Sequence, residues 1–465
     1  MKKLLITSFV IFAYSLNAES LLRQDPIDFS QEGDISLPTQ LKPNANYQKM
    51  PMIPMTLPID SQIQSAILQQ QWALLPRLLR QYQQQGHYDP ALYHYALAAY
   101  YFNTLQYDKA ILHYQTLLDL HPEVIYPRFD MAVIFFENYQ YLQAKQQFER
   151  LMLKADGKLK TLIEAYLQEI KHRQQWQPYV NFQYVKTDNV NNASSEREIT
   201  INGKPLVKDE ESLPQSAQGV RYAFELERIK NITGNHFWQT TLGYNGVYYW
   251  DNQYYNEQTL HFSLGYMWRD AQFIGKIIPF VEQNWFGVHR YNHQFGVKLF
   301  SQIQLSEHWL WQNRLANMRK HYADTSLADR YNGNENTVST TIIWQDNTHW
   351  QSWLNLELVS DRLKEKSSSS LKWASGFGIA YYQKQWGTQI NVRYIDRHFA
   401  DHHYLMHLKR HDREYQLNGA IWYQKLSWRG FLPKLHIRYQ RINSNIPALY
   451  SRKNQELFFT IEKQF

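Results

Sequence analysis

From residue 177 onward, apolar and polar positions alternate with a period of two. Leu260, Phe262, Leu264, Tyr266 and Trp268 alternate with Thr259, His261, Ser263 and Gly265, and Trp373, Phe377, Ile379 and Tyr381 with Ala374, Gly376 and Gly378. The same dyad runs through Trp350, Leu354, Leu356 and Leu358, and through Tyr415, Leu417, Ile421 and Tyr423. This is the pattern of strands whose two faces meet different surroundings. The inner face of a soluble sandwich favours Val and Ile, whereas here thirteen of the fifteen tryptophans fall in this segment, many at the ends of runs. Aromatic girdles at the two membrane interfaces account for that placement. Fourteen runs begin near residues 178, 216, 236, 257, 271, 292, 308, 333, 348, 369, 386, 411, 431 and 453. The even count and the alternation of short turns (231–235, 306–307, 346–348) with long loops (188–215, 320–332, 361–370, 398–410, 444–452) predict a fourteen-stranded antiparallel outer-membrane β-barrel over 177–465, with both ends on the short-turn, periplasmic side. Its last strand, with Phe459, Ile461 and Phe465 in one row, resembles the C-terminal signal by which such barrels are recognised for insertion.

Before Trp176 the period is helical. A 34-residue offset pairs Leu97 with Met131, Ala98 with Ala132, Tyr101 with Phe135, Ala110 with Ala144, Tyr114 with Phe148 and Leu117 with Leu151. That is the tetratricopeptide period: small residues let antiparallel helices close, and aromatics fill the space between hairpins. Two repeats cannot stack stably alone, so flanking segments 60–85 and 158–175 are expected to cap them within a helical domain spanning 59–176. The first helix of each pair places Tyr95, Ala99, Phe102, Tyr126, Phe129, Val133 and Phe136 along one groove. Two readings fit: a client-binding surface, foremost at Tyr95, Phe102, Tyr126, Phe129 and Phe136, or rings packed on a capping helix.

Lys2 and Lys3 precede the uncharged apolar run Leu4–Leu16, and Ala18 precedes a polar stretch, so residues 1–18 read as a cleaved secretory signal. Residues 19–58 hold six of the sixteen prolines and read as an extended arm or linker. The chain has no cysteine, which excludes a disulfide framework, thiolate chemistry and acylation as a lipoprotein. A mean hydropathy of −0.59 excludes helical membrane spans beyond the leader. The expected fold is therefore α plus transmembrane β: a periplasmic helical repeat domain followed by an outer-membrane barrel.

The leader, the repeats, the barrel and the run Asp188-Asn189-Val190-Asn191-Asn192-Ala193 after the first strand together resemble the surface lipoprotein assembly modulator (Slam) family. Gly430-Phe431-Leu432-Pro433-Lys434, Arg441 to Pro447 and Glu462-Lys463-Gln464-Phe465 are similar to its C-terminal pattern. The resemblance implies a translocon that delivers surface lipoproteins or related secreted proteins to the cell surface, clients that often serve haem or iron acquisition. Its other expected partners are outer-membrane lipid, the barrel assembly machinery and periplasmic chaperones.

The loop Asp188, Asn189, Asn191 and Asn192 can act as a gate, because asparagine tolerates positive φ and its amide pairs donors with acceptors; an Asx-rich turn capping the strand fits equally. His398, His402, His403, His407 and His411 are spaced as metal ligands can be, but they read as solvated residues of a long surface loop, and no metal or cofactor is assigned. No Gly-x-Ser-x-Gly elbow or glycine-rich phosphate loop is present, and no enzymatic role is expected. A porin or exopolysaccharide exporter is the competing function, with Arg393, His436, Arg438 and Gln440 as an anion-passing lining. The formal charge of +7 is scattered and fits loop cations facing lipopolysaccharide better than nucleic acid.

Overall fold

The structure, a computed structural model, describes residues 58–463 apart from 202, 347, 348, 384 and 430. Residues 1–18, read as a secretory signal, residues 19–57 of the segment read as an arm, and Gln464 and Phe465 lie outside the described residues.

Among the described residues seven helices come first: α1 Ile59–Leu68, α2 Leu75–Gln84, α3 Pro90–Asn103, α4 Tyr107–Leu120, α5 Ile125–Glu137, α6 Tyr141–Met152 and α7 Gly157–His172. The repeat offset puts its small residues where helices cross. Ala98, Ala110, Ala132 and Ala144 are fully buried, and Tyr114, Phe148, Leu117 and Leu151 close the core around them. The segment 60–85 is a helical hairpin of its own, α1 with α2. It breaks at Gln70, which sits at φ 55°. Leu105 (φ 59°) and Tyr139 (φ 60°) make the same left-handed turn inside the two repeats. All three turns are closed by an amide reaching back five residues: Gln71 to Ala66 O at 2.8 Å, Gln106 to Tyr101 O at 2.8 Å and Gln140 to Phe135 O at 2.7 Å. That bond satisfies an orphan helix carbonyl and offsets the cost of a non-glycine residue at positive φ.

Fourteen antiparallel strands then close into a barrel: β1 Gln177–Thr187, β2 Ala217–Thr233, β3 His236–Tyr249, β4 Glu257–Arg269, β5 Phe273–Phe286, β6 His289–Gln304, β7 Trp309–Tyr322, β8 Gly333–Gln345, β9 Trp350–Leu363, β10 Ser370–Tyr382, β11 Trp386–His402, β12 Lys409–Tyr423, β13 Phe431–Ser444 and β14 Arg452–Lys463. The strands begin within three residues of the positions expected from alternation. Along β9 the dyad is plain: Leu354, Leu356 and Leu358 are exposed on the outer face while Asn355 and Glu357 are buried within. An apolar exterior over a polar interior is the arrangement a bilayer selects, since closure leaves no unpaired edge in hydrocarbon. No described helix is long and apolar enough to cross a membrane.

Strands β11 and β12 extend further than the alternation suggested. His398 and His402 lie on β11 and His411 on β12, leaving only His403 and His407 in the 403–408 connection. The expectation of one long histidine-bearing loop is thereby corrected. Strand pairing persists beyond the apolar rows because polar side chains cost a strand nothing where its outer face leaves the hydrocarbon.

Candidate functional site

The helical domain is docked on the short-turn end of the barrel, and the contact is built from one helical turn and two barrel turns. Asn235 sits at the β2–β3 turn; its Nδ2 donates to Asn138 O at 2.6 Å and to Arg269 O at 2.7 Å, while Gln140 Nε2 donates to its Oδ1 at 2.8 Å. Asn231 Nδ2 holds the same turn through Gly234 O (2.8 Å) and His236 O (3.0 Å), and its Oδ1 accepts from Leu142 N–H at 2.9 Å. Gln174, just past α7, accepts from Asn231 N–H and from Arg228 Nε at 3.0 and 3.1 Å. The Arg269 guanidinium lies 3.7 Å from the centre of the Tyr139 ring. Beneath these polar contacts, Phe136, Tyr139 and Tyr141 share one buried cluster with Phe237, Met267 and Ile274, the inward-facing residues at the rim of β3, β4 and β5. The left-handed turn at Tyr139 thus seats the α5–α6 hairpin against the barrel mouth. Nothing in the sequence marked Asn138, Asn231 or Asn235 for this role; the segment 231–235 read only as a short turn.

The groove residues divide into two groups. Tyr126 is 72% exposed, and Tyr95 and Phe102 are half-buried. Phe129 packs edge-on against Tyr166 of α7 at 6.0 Å, and Phe136 is buried between Tyr166 (5.1 Å) and the Arg173 guanidinium (4.4 Å). Phe136 is therefore corrected from groove lining to core: α7 fills the concave surface of the second repeat, as a cap must. Tyr95 has a polar neighbour that the repeat pattern did not single out. Asp130 accepts from Tyr114 Oη at 3.2 Å, and its carboxyl is pushed up to about 6 by burial, against the pull of hydrogen bonds from Tyr114 and Tyr95.

The asparagine loop folds inward against the last strand. Asn189, Asn191 and Asn192 are buried and Asp188 is exposed. Asn189 Nδ2 reaches Ala193 O at 2.9 Å, and its Oδ1 accepts from Ala193 N–H at 2.8 Å, an Asx-type closure of the turn. Asn191 Nδ2 donates to Leu213 O at 2.7 Å and its Oδ1 accepts from Gln215 N–H at 3.1 Å, tying the two ends of the 188–216 segment together. Asn454 of β14 donates to Asn192 Oδ1 at 3.1 Å and lies 3.4 Å from Asn189 Nδ2. Of Asn189, Asn191 and Asn192, only Asn192 stands at positive φ, 49°. Among the described residues the β1–β14 seam is paired at four positions, Val180–Lys463 to Gln183–Thr460, against eleven between β1 and β2. Tyr184 to Thr187 have no partner on β14, and the asparagine loop lies where that seam is unpaired. On the outer face of β14, Phe459 and Ile461 are exposed beside Leu457, while Phe458 and Thr460 turn inward.

The lumen wall is a ladder of compensated charges. Glu357 meets Arg393 at 2.7 Å and Lys372 at 3.2 Å, Arg438 meets Glu456 at 3.2 Å, and Lys320 meets Glu335 at 3.0 Å. Gln440 Nε2 donates to Glu414 at 2.5 Å, and His436 shares a 2.9 Å hydrogen bond with Thr460. All four residues considered as an anion-passing lining are therefore engaged with wall partners. Such contacts hold these charged side chains against the wall.

A closed barrel with an apolar exterior, a polar lumen and a docked tetratricopeptide-type domain defines an outer-membrane β-barrel protein with an N-terminal repeat module. Residues 176–465 match the family model described as surface lipoprotein assembly modifier, and residues 54–148 match the one described as its N-terminal TPR repeats. The chain belongs to the surface lipoprotein assembly modifier family. It is 27% identical to a surface lipoprotein assembly modifier of Pasteurella multocida (strain Pm70) over 81% of this chain and 77% of that protein. It is 22% identical to a hemophilin secretion modulator of Acinetobacter baumannii over 96% of this chain and 94% of that protein. Among solved structures, a bacterial polysaccharide outer membrane secretin aligns with 62% of this chain and 98% of its own at 11% identity and a TM-score of 0.35.

Proposed function

We propose that this protein delivers client proteins, lipid-anchored or released, from the periplasm to the cell surface, the helical domain holding the client and the barrel providing the passage. The observation that carries this reading is the docking of the repeat domain on the barrel mouth through Asn138, Asn231, Asn235 and the Phe136–Phe237 cluster, which holds a groove and a lumen in fixed relation. The names of the relatives, surface lipoprotein assembly modifier and hemophilin secretion modulator, support both client types. At the β1–β14 seam the stretch Tyr184–Thr187, unpaired with β14 among the described residues, supports a lateral exit through which a lipid anchor passes while polypeptide crosses the lumen. Asn189 and Asn192, held by Asn454, are the latch of that seam. The N-terminal domain is periplasmic in this reading, because the barrel ends, and so the chain entering β1, lie on the short-turn side. The periplasm supplies no nucleotide, so export runs downhill and client folding outside prevents return. Barrel assembly machinery and periplasmic chaperones belong to the biogenesis of the barrel and to client delivery. The protein acts without enzymatic chemistry of its own.

The test is surface display of a candidate client co-expressed in a heterologous Gram-negative host, read by accessibility to external protease. The full chain is expected to display the client. A variant lacking residues 59–176 is expected to lose display while its barrel keeps its heat-dependent gel shift. Undiminished display by that folded variant overturns the role given to the helical domain.

A further inference from the structure

Across the outer face of β11 and β12, at their long-loop ends, strand register brings three metal-ligating side chains together. His398 stands directly opposite His411, and Asp396 lies one outward position before His398 on the same strand. His398 Nε2 is 2.6 Å from Asp396 Oδ1 and His411 Nε2 is 3.0 Å from Asp396 Oδ2. The two imidazoles stack at 4.1 Å between centroids and 11° between planes, and a ligand atom from each of the three residues falls within 4.8 Å of the others. The site lies just beyond an aromatic cluster in which Tyr394 packs on Trp373 at 5.3 Å and on Tyr415 at 5.4 Å.

The carboxylate is the unusual member. Asp396 is 7% exposed on a face that is otherwise apolar or aromatic up to this level, and its Oδ1 has no hydrogen-bond donor despite the imidazole nitrogen beside it. Its Oδ2 takes Tyr394 Oη at 3.2 Å and lies 3.9 Å from Arg413 Nε. Held only by the ion-pair contact with His398, Oδ1 is a buried carboxylate oxygen short of a hydrogen-bond donor and favours an added cation. His411 Nε2 hydrogen-bonds Asp396 Oδ2 while His398 Nε2 touches Oδ1 outside hydrogen-bond geometry; in their neutral forms both rings offer a nitrogen lone pair beside a carboxylate charge, the donor set of a metal site.

We propose that Asp396, His398 and His411 form a site for a divalent transition metal, with zinc the class that two imidazoles and one carboxylate suit best. Three protein ligands leave a fourth position for water or for an oxygen of a bound group. The strand register is irregular between His398 and His402, so the ion pins the last regular pairs of β11 and β12 below that break. His402, which pairs with Asp401 at 3.3 Å, and His407 lie outside the set.

The test uses the untagged full-length protein in detergent, titrated with zinc against a chromogenic chelator and with cobalt by visible absorption. The expected result is one tight equivalent of zinc and the d–d bands of a tetrahedral nitrogen and oxygen site with cobalt. Binding should weaken roughly tenfold or more in His398→Ala, His411→Ala and Asp396→Asn and stay unchanged in a His402→Ala/His407→Ala variant. Heat-dependent gel mobility reports that each barrel is folded. The proposal is overturned if the parent takes up no zinc and shows no cobalt bands. It is equally overturned if the three ligand variants bind as the parent does, or if the His402/His407 variant is the one that loses the metal.

Discussion

Removing the side chains of Asn231 and Asn235 should loosen the helical domain from the barrel by an amount that can be read at a single amide. Three hydrogen bonds made by these two side chains cross between the domains: Asn235 Nδ2 to Asn138 O, Gln140 Nε2 to Asn235 Oδ1, and Leu142 N–H to Asn231 Oδ1. At about 1 kcal/mol net for each, the Asn231→Ala/Asn235→Ala variant forfeits about 3 kcal/mol of docking. The apolar cluster of Phe136, Tyr141, Phe237, Met267 and Ile274 remains, so the domains stay associated on average while opening becomes more frequent. Leu142 N–H loses its acceptor directly. Hydrogen–deuterium exchange of the full-length protein in detergent should therefore show the α5–α6 turn, residues 138 to 143, exchanging on the order of a hundredfold faster than in the parent. Peptides from α2, which packs in a separate cluster with α1, serve as the internal reference and should keep their rates. Turn amides that exchange within about twofold of the parent, with the reference unchanged, would show that the polar contacts add nothing to docking and that the apolar cluster alone holds the domains.

Three further outcomes follow from the packing and the electrostatics. The Asp130 carboxyl titrates near 3.8 when unfolded and about 6 when folded. Between these values the folded state holds a proton that the unfolded state lacks, so helical-domain stability falls as pH rises from about 4 to about 6, and the buried charge costs on the order of 3 kcal/mol at pH 7. Asp130→Asn should raise the thermal midpoint of the helical transition at pH 7 and flatten its pH dependence, read by circular dichroism on the full chain; an unchanged slope would contradict the burial argument. Leu356→Arg, in the middle of the outer face of β9, should cost about 2–4 kcal/mol in denaturant unfolding from lipid vesicles, and a neutral result there would place that face outside the hydrocarbon. Ala132→Leu forces a large side chain into a helix crossing with no exposed surface and should destabilise the helical domain by about 1–3 kcal/mol in a urea titration, whereas an unchanged midpoint would mean the repeats pack more loosely than they stand.

Much of the architecture is local in origin and so was legible along the chain. The period-two rows such as Leu354, Leu356 and Leu358 located the strands, because successive side chains of a strand leave on opposite faces whatever the partner. The 34-residue offset located Ala98, Ala110, Ala132 and Ala144 at helix crossings for a similar reason: a close approach of two helices demands small residues at fixed spacing. The asparagine run after β1 was visible as a motif, but its receptor was not, since Asn454 lies 262 residues from Asn192. Phe102 and Phe136 occupy matching places in the repeat pattern, 34 residues apart, and only the position of α7 made the second core while the first stays half-buried.

The sequence by itself determined that this chain makes a barrel and a helical repeat domain, where the strands fall, and which family it resembles, because these depend on periodicities of 2 and 3.6 residues and on motifs a few residues long. Only the tertiary structure decided which ends of those elements meet. It seated the Tyr139 turn on Asn235, 96 residues away, paired the lumen cations Arg393 and Arg438 with Glu357 and Glu456, and turned histidines that read as a solvated loop into the Asp396–His398–His411 cluster. Each of these depends on strand register and domain docking, which fix distances between residues far apart in sequence and leave no periodic trace in the chain.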